Sequence, residues 1–213
     1  MQIIPAKTPG FVKTLFPNLV WNIPTQKKEL YLTFDDGPTP KITNWVLDRL
    51  SHYNANATFF CIGNNIKENP ELISKIFEGG HTIGNHTYNH LKGWKHKTKF
   101  YIEDVRKTEE LINSFDVISK TKLFRPPYGK FKANQSKKIQ ALGYKIIMWD
   151  VLSYDWDNSI RQEDCLNNII SSAKEGSIIV MHDSIKASKN LKFALPKVLE
   201  HYTEKGYKFK ALT

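Results

Sequence analysis

The chain has little with which to fasten itself covalently or to lodge in a membrane. Among 213 residues there are two cysteines, Cys61 and Cys165, each in an apolar neighbourhood of the kind that ordinarily buries a free thiol. Two isolated cysteines make no framework of cross-links, although a single pairing between them stays open. No stretch approaches the eighteen or more apolar residues of a membrane span, so no spanning helix is expected. Residues 1–11 lack a basic start leading into an apolar run. On that reading the protein is expected in the cytoplasm, or exported to a periplasmic or external site if a leader has been trimmed from the chain.

Acidic side chains are also in deficit. With 21 Asp and Glu against 31 Lys and Arg, the formal net charge is +10, which suits an acidic partner such as nucleic acid, an anionic envelope polymer or a lipid surface. No zinc-finger spacing, RNP pattern or helix-turn-helix signature accompanies the charge, so nucleic acid is not the expected partner. The lysines fall in segments 92–99, 120–138 and 186–210, distributed like solvated faces rather than one recognition arm.

What is present is enough for one core: 40% apolar and 12% aromatic residues in a length that demands no second domain. After a proline-punctuated lead-in over residues 1–29, strand-like and helix-like patterns alternate. Strands are predicted at 30–34, 57–62, 81–84, 122–124, 145–149, 177–181 and 207–212. Helices are predicted at 43–53, 70–77, 100–115, 134–142, 161–174 and 191–205. Gly143, Gly176 and Gly206 fall between a helix and the next strand, where tolerance of positive φ is useful. About seven strand–helix units argue for a parallel sheet, closed or nearly closed as a barrel.

Polar residues collect just past the predicted strands: Asp35 and Asp36, His86 and His90, Arg125, Asp150 and Asp155, His182 and Asp183. Any one of them could be a turn or cap residue, but a barrel builds its active site at this end, and the set as a whole fits that better. Adjacent carboxylates repel, and closing them into a dry pocket needs a cation or an arginine. One Asp and two His around a divalent metal, with positions left for water, is a catalytic stoichiometry, and the second Asp is then free to take a proton. His86 and His90 could converge through a helical turn or through a loop. These residues point to a metal-dependent hydrolase.

Five motifs in order sharpen that reading: 33–38 (TFDDGP), 86–90 (HTYNH), 125–129 (RPPYG), 149–156 (WDVLSYDW) and 180–183 (VMHD). From about residue 30 to 212 the chain resembles the polysaccharide deacetylase family, carbohydrate esterase family 4, whose shared unit is the NodB homology domain. The resemblance implies an α/β fold, a deformed (β/α) barrel of about seven strands, with residues 30–213 as the catalytic domain and residues 1–29 packed on it. It implies that Asp36, His86 and His90 hold one divalent metal, zinc ahead of cobalt, nickel or iron. Asp35 would be the base, oriented by Arg125, and His182 the acid, paired with Asp155. The Tyr128 N–H would help hold an oxyanion beside Pro127, with Trp156 and Met181 as apolar walls for the acetyl methyl. Leu152 departs from the pattern, standing where the family often carries a further Asp.

The implied reaction is removal of N-acetyl groups from an amino-sugar glycan, peptidoglycan or a chitin-like oligomer. Two other readings stand beside it: an O-acetyl esterase on a polysaccharide such as xylan, and a carbohydrate-binding protein without turnover. His52, His81, His96 and His201 are expected to be structural or solvent-facing, and Trp149 to pack the barrel mouth. The sequence fixes no oligomeric state, and a monomer is the default.

Overall fold

A computed structural model describes residues 5–115 and 121–213. The first four residues of the lead-in and leader readings, and Lys120 of the middle lysine segment, lie outside the described residues.

The sheet is organised around β1 (Glu29–Asp35), in which every residue after Glu29 is buried. Burial on both faces is the mark of a parallel strand flanked by helices. Alternation then sorts its side chains. Leu30, Leu32 and Phe34 pack outward against α2 (Pro40–His52) and α8 (Ser188–Glu204), meeting Val46, Leu195 and Val198 in the largest apolar cluster. Tyr31, Thr33 and Asp35 face the interior, where Tyr31 joins a plug of Phe60, Leu123, Ile147, Ile178 and Leu212.

Neighbouring strands run in the order β5 (Tyr144–Ile146), β4 (Lys122–Phe124), β3 (Thr82–Asn85), β2 (Thr58–Cys61), β1, β7 (Ile178–His182) and β6 (Val151–Leu152), all parallel. A short β8 (Lys208–Phe209) pairs with the start of β1. The remaining helices are α1 (Gly10–Leu15), α3 (Gly63–Glu68), α4 (Pro70–Glu78), α5 (Thr98–Asn113), α6 (Ala133–Ala141) and α7 (Gln162–Ile170). The result is a curved, partly closed parallel sheet of about seven strands in an α/β fold, the deformed barrel that the sequence implies. No helix among the described residues is long and apolar enough to cross a membrane.

The barrel's seam lies between the two ends of this order, β5 and β6, and the lead-in fills it. Val20 N–H donates to Ile146 O at 2.9 Å and Met148 N–H to Val20 O at 2.7 Å, while Ile23 N–H reaches Gly176 O at 2.8 Å. This substitution explains why the strand predicted at 145–149 stops at Ile146: the chain crosses behind the lead-in and re-enters as β6 beside β7. Gly176 carries φ 75°, and a Cβ there would collide with the Ile23 carbonyl, so the docking needs glycine. Farther back, Leu152 N–H donates to Ala6 O at 2.8 Å, and Lys7 and Lys13 both pair with buried Asp150.

Helix α2 starts three residues earlier than its apolar spacing indicates because Pro40 occupies its first turn, as Pro70 does in α4. Helices α1 and α3 are absent from the sequence reading. At six residues each, they are too short to display a period. Both cysteines are free and buried.

Candidate active site

Parallel register brings Asp35 alongside His182 on one side and Phe60 on the other. Asp35 is 4% exposed and faces a fully buried Arg125 that arrives from the end of β4. The guanidinium donates from Nη1 to Asp35 Oδ1 at 2.7 Å and to Thr33 Oγ1 at 2.6 Å. It also donates from Nε to Ile147 O at 3.2 Å and from Nη2 to Met148 O at 2.9 Å. Its flat face lies 4.2 Å from the Phe60 ring centroid. Burial pushes the Arg125 pKa down and the Asp35 charge pulls it back up, but a guanidinium stays charged in either case. One fixed cation therefore offsets the buried carboxylate, which on its own would be strongly destabilising there.

Asp36 departs in another direction because its backbone turns into the left-handed region, φ 73°. Its Oδ1 lies 3.1 Å from His90 Nε2 and 3.6 Å from His86 Nε2. The two histidines converge through a loop, not a helical turn, with positive φ at Thr87 (64°) and His90 (52°). Such conformations cost about 1 kcal/mol or more apiece and persist only where the surroundings over-determine them. Here Asp104 of α5 does so, taking the Tyr88 and Asn89 N–H groups on Oδ2 at 2.8 and 3.0 Å and the Asn89 amide on Oδ1 at 2.5 Å. Asn85 Oδ1 accepts the Thr87 N–H at 2.9 Å.

His86 Nδ1 donates to Arg125 O at 2.7 Å, which leaves the Nε2 lone pair aimed at Asp36, the tautomer a metal ligand needs. The ligand atoms of Asp36, His86 and His90 all lie within 4.8 Å of one another. Burial pushes the Asp36 carboxyl up, yet its contacts with the protonated forms of His86 and His90 more than offset this and hold it below the usual carboxylate range. An O, N, N donor set of this size, with one imidazole locked by a backbone carbonyl, fits a divalent cation and is a metal-binding triad.

On the opposite wall, Asp155 Oδ1 accepts from His182 Nδ1 at 2.8 Å and Asp155 Oδ2 from the His182 N–H at 2.7 Å. Ser153 Oγ donates to the same carboxylate at 3.0 Å. Burial alone would lower the His182 pKa, but the Asp155 charge and hydrogen bond outweigh it and raise the group to about 9. Trp156 sets its edge against the imidazole at 4.8 Å and stacks on Tyr154 at 4.9 Å. Asp183 does not pair with His182. Burial pushes its carboxyl up to about 7; Thr43 Oγ1 donates to it at 2.5 Å and its N–H donates to Asp35 O at 3.2 Å. A Cβ at Gly37 would strike the Asp183 carboxylate, so the DDG turn needs glycine for space.

These groups open onto one cleft of about 590 Å³, floored by Asp35, Asp36, His86, His90 and His182. Tyr128 stands half exposed at its rim with φ 61° and its ring 4.7 Å from His90. Trp149 and Trp156 line it as well, and a Cβ at Gly129 would meet the Trp149 ring.

Three sequence assignments need correction. Met181 is fully buried on the helix side with Leu191 and Leu195. Strand alternation turns Val180 and His182 inward and Met181 outward, so the apolar wall is Val180 with Leu152. Pro127 is buried, and the adjacent Pro126 forms the cleft wall. Asp150 belongs to the seam, bound to Lys7, Lys13 and Ser177. His81 is structural, its Nδ1 accepting Ala57 N–H at 3.2 Å and its pKa lowered by burial to about 4.

Asp104 escaped the sequence reading, although an acid within the buried helical stripe of Tyr101, Ile102, Val105 and Thr108 is a detectable anomaly. Lys92, Trp94, Lys130 and Lys186 also line the cleft and carried no motif signal, while Val180 lies inside the fifth motif, where Met181 took its role.

The sequence model for polysaccharide deacetylases matches residues 22–147. A peptidoglycan-N-acetylglucosamine deacetylase of Bacillus cereus is 34% identical over 193 residues, 90% of this chain and 89% of that protein. A chitooligosaccharide deacetylase of Azorhizobium caulinodans is also 34% identical, over 76% of each chain. Among solved structures, a peptidoglycan N-acetylglucosamine deacetylase in complex with 4-naphthalen-1-yl-N-oxidanyl-benzamide superposes with a TM-score of 0.87 at 32% identity, covering 96% of this chain and 95% of that one. The chain belongs to the polysaccharide deacetylase family, the NodB-homology hydrolases of carbohydrate esterase family 4.

Proposed function

We propose that the protein is a metal-dependent hydrolase that removes N-acetyl groups from an amino-sugar glycan. The observation that carries this is the placement of two chemically distinct walls on one cleft: a compensated carboxylate beside a divalent-metal triad, and a histidine held cationic by Asp155. Asp36, His86 and His90 would hold the ion, and the donor set together with the family resemblance favours zinc. Bound there, a divalent cation supplies Lewis acidity toward the acetamide carbonyl and acidifies water.

The chain's own groups account for the proton traffic. Asp35 accepts a proton from the attacking water at the oxygen left free by Arg125, which holds the carboxylate in one orientation and offsets its buried charge. The Tyr128 N–H, fixed by its left-handed turn, offers a donor where negative charge develops on the carbonyl oxygen. His182 delivers its Nε2 proton to the amide nitrogen, so that a neutral amine departs instead of an amide anion. Leu152, Val180 and Trp156 give the acetyl methyl an apolar surface. Acetate and an amino sugar result.

An N-acyl substrate is favoured over an ester by the investment in His182, because an alkoxide leaves with far less help from an acid than an amine does. The test is acetate release from N-acetylglucosamine oligomers and from acetylated xylan at equal enzyme concentration, with the metal content determined by elemental analysis. Release from the amino-sugar oligomers at the higher kcat/KM is the expected result. Release from xylan alone would make the protein an esterase, and no release from either with metal restored would make it a binding protein.

A further inference from the structure

Three lysine segments that are far apart in the sequence meet at the mouth of the cleft. Lys92 follows the metal-binding loop, Lys130 follows the Tyr128 turn, and Lys186 lies four residues beyond His182; all three are exposed and line the cleft. None of them makes an ion pair among the described residues. Asp157, whose charge reaches Lys186, is already engaged by Ser159 Oγ at 2.6 Å. The two acids of the cleft are occupied as well, Asp35 by Arg125 and Asp36 by the histidines. No group inside the cleft therefore balances the rim.

Two of the lysines also lie against aromatic rings. Lys92 Nζ lies 5.0 Å from the Tyr128 ring centroid and Lys130 Nζ 5.4 Å from that of Trp94, and the two rings meet edge-on at 5.8 Å. Aromatic faces of this kind accept the apolar face of a sugar ring while keeping ammonium groups at the level of its substituents. A neutral glycan offers those ammonium groups nothing beyond what water provides, whereas a carboxylate on the same chain meets a focused positive field.

We propose that Lys92, Lys130 and Lys186 form a specificity rim that selects amino-sugar glycans bearing carboxylate groups near the acetamide over neutral ones. The proposal rests on the deacetylase reading and narrows its substrate class. The effect is long-range and exposed to solvent, so it acts on encounter and ground-state binding and is screened by salt.

The test uses three substrates of equal chain length: peptidoglycan oligomers whose carboxylates are on the peptide branches, the same oligomers after an amidase has hydrolysed the branch amide and so freed a carboxylate on the sugar, and neutral N-acetylglucosamine oligomers. Each is assayed with the wild type and with K92Q/K130Q/K186Q. The ratio of kcat/KM for anionic over neutral substrate should fall by about tenfold in the triple variant, chiefly through KM. In the wild type it should decline as salt rises from about 0.05 to about 0.5 M. A preference for the amidase-treated oligomers over the neutral ones shows that the freed sugar carboxylate is recognised; a preference confined to the branched oligomers places the recognised carboxylate on the peptide, and either result supports the rim. A ratio insensitive to the substitutions or to salt overturns it. If no substrate releases acetate, the deacetylase reading fails while the rim is still decided by equilibrium binding: a preference for the anionic oligomers that the triple variant loses supports it, and equal binding overturns it.

Discussion

Replacing Asp155 by Asn tests the acid wall. The substitution keeps the shape and an acceptor for His182 Nδ1, now 2.8 Å from the carboxylate, but removes the charge that overrides burial. In the wild type that charge lifts His182 from 6.5 to about 9, which corresponds to about 3 kcal/mol in favour of the imidazolium. Without it, burial acts in the opposite direction and the group titrates at or below about 6.5, aided only by the smaller pulls of Asp36 and Asp35. At about pH 8 the acid would fall from about nine-tenths protonated to about one-thirtieth, a loss of about thirtyfold in kcat/KM. The assay is acetate release from an N-acetylglucosamine oligomer between about pH 5 and pH 10, where the alkaline limb should move from near 9 to below about 6.5. Stability gives a second readout with a definite sign. Because the folded value is raised, the contribution of His182 is complete below about 6.5 and is lost as pH climbs through about 9, and the variant should lack that dependence. An alkaline limb that stays near 9 in Asp155→Asn would refute the assignment of His182 as the acid.

Arg125→Met should lower unfolding free energy in urea by about 3–5 kcal/mol, because Asp35 is left buried without its cation; a loss below about 1 kcal/mol would mean that Asp35 is compensated elsewhere. Chelation should abolish acetate release and added divalent ion restore it, while Asp36→Ala should reduce metal content in elemental analysis by tenfold or more. Activity unaffected by exhaustive chelation would remove the triad from the mechanism. Gly37→Ala drives a methyl into the Asp183 carboxylate and should cost about 1–3 kcal/mol in thermal or urea unfolding, with a neutral outcome showing that the turn has room to move.

The sequence disclosed the parallel sheet, because its buried strands read as short apolar runs between glycines, and it disclosed the metal triad, because Asp36, His86 and His90 lie in compact motifs. Arg125 and Asp155 were equally legible by resemblance. Met181 was misplaced because a motif says which residues are adjacent but not which side of the strand each one faces; alternation from inward-facing His182 would have turned it away. Asp150 was misread for a related reason: its partners, Lys7, Lys13 and the Thr8 N–H, come from the lead-in, a non-local event with no signature in the local pattern. The lysine rim was invisible for the same cause, since convergence of segments around residues 92, 130 and 186 is a property of topology rather than spacing.

The seam has a consequence for how the molecule comes together. Ile146, Met148 and Gly176 find their backbone partners in residues 20 and 23, which makes this segment a closing piece of the sheet. Were that segment displaced, two strand borders would stand bare beside each other, hungry for any extended peptide, a second molecule's included. Residues 6–23 thus act as a clasp on the sheet's two free borders, at a distance from the mouth where the chemistry takes place.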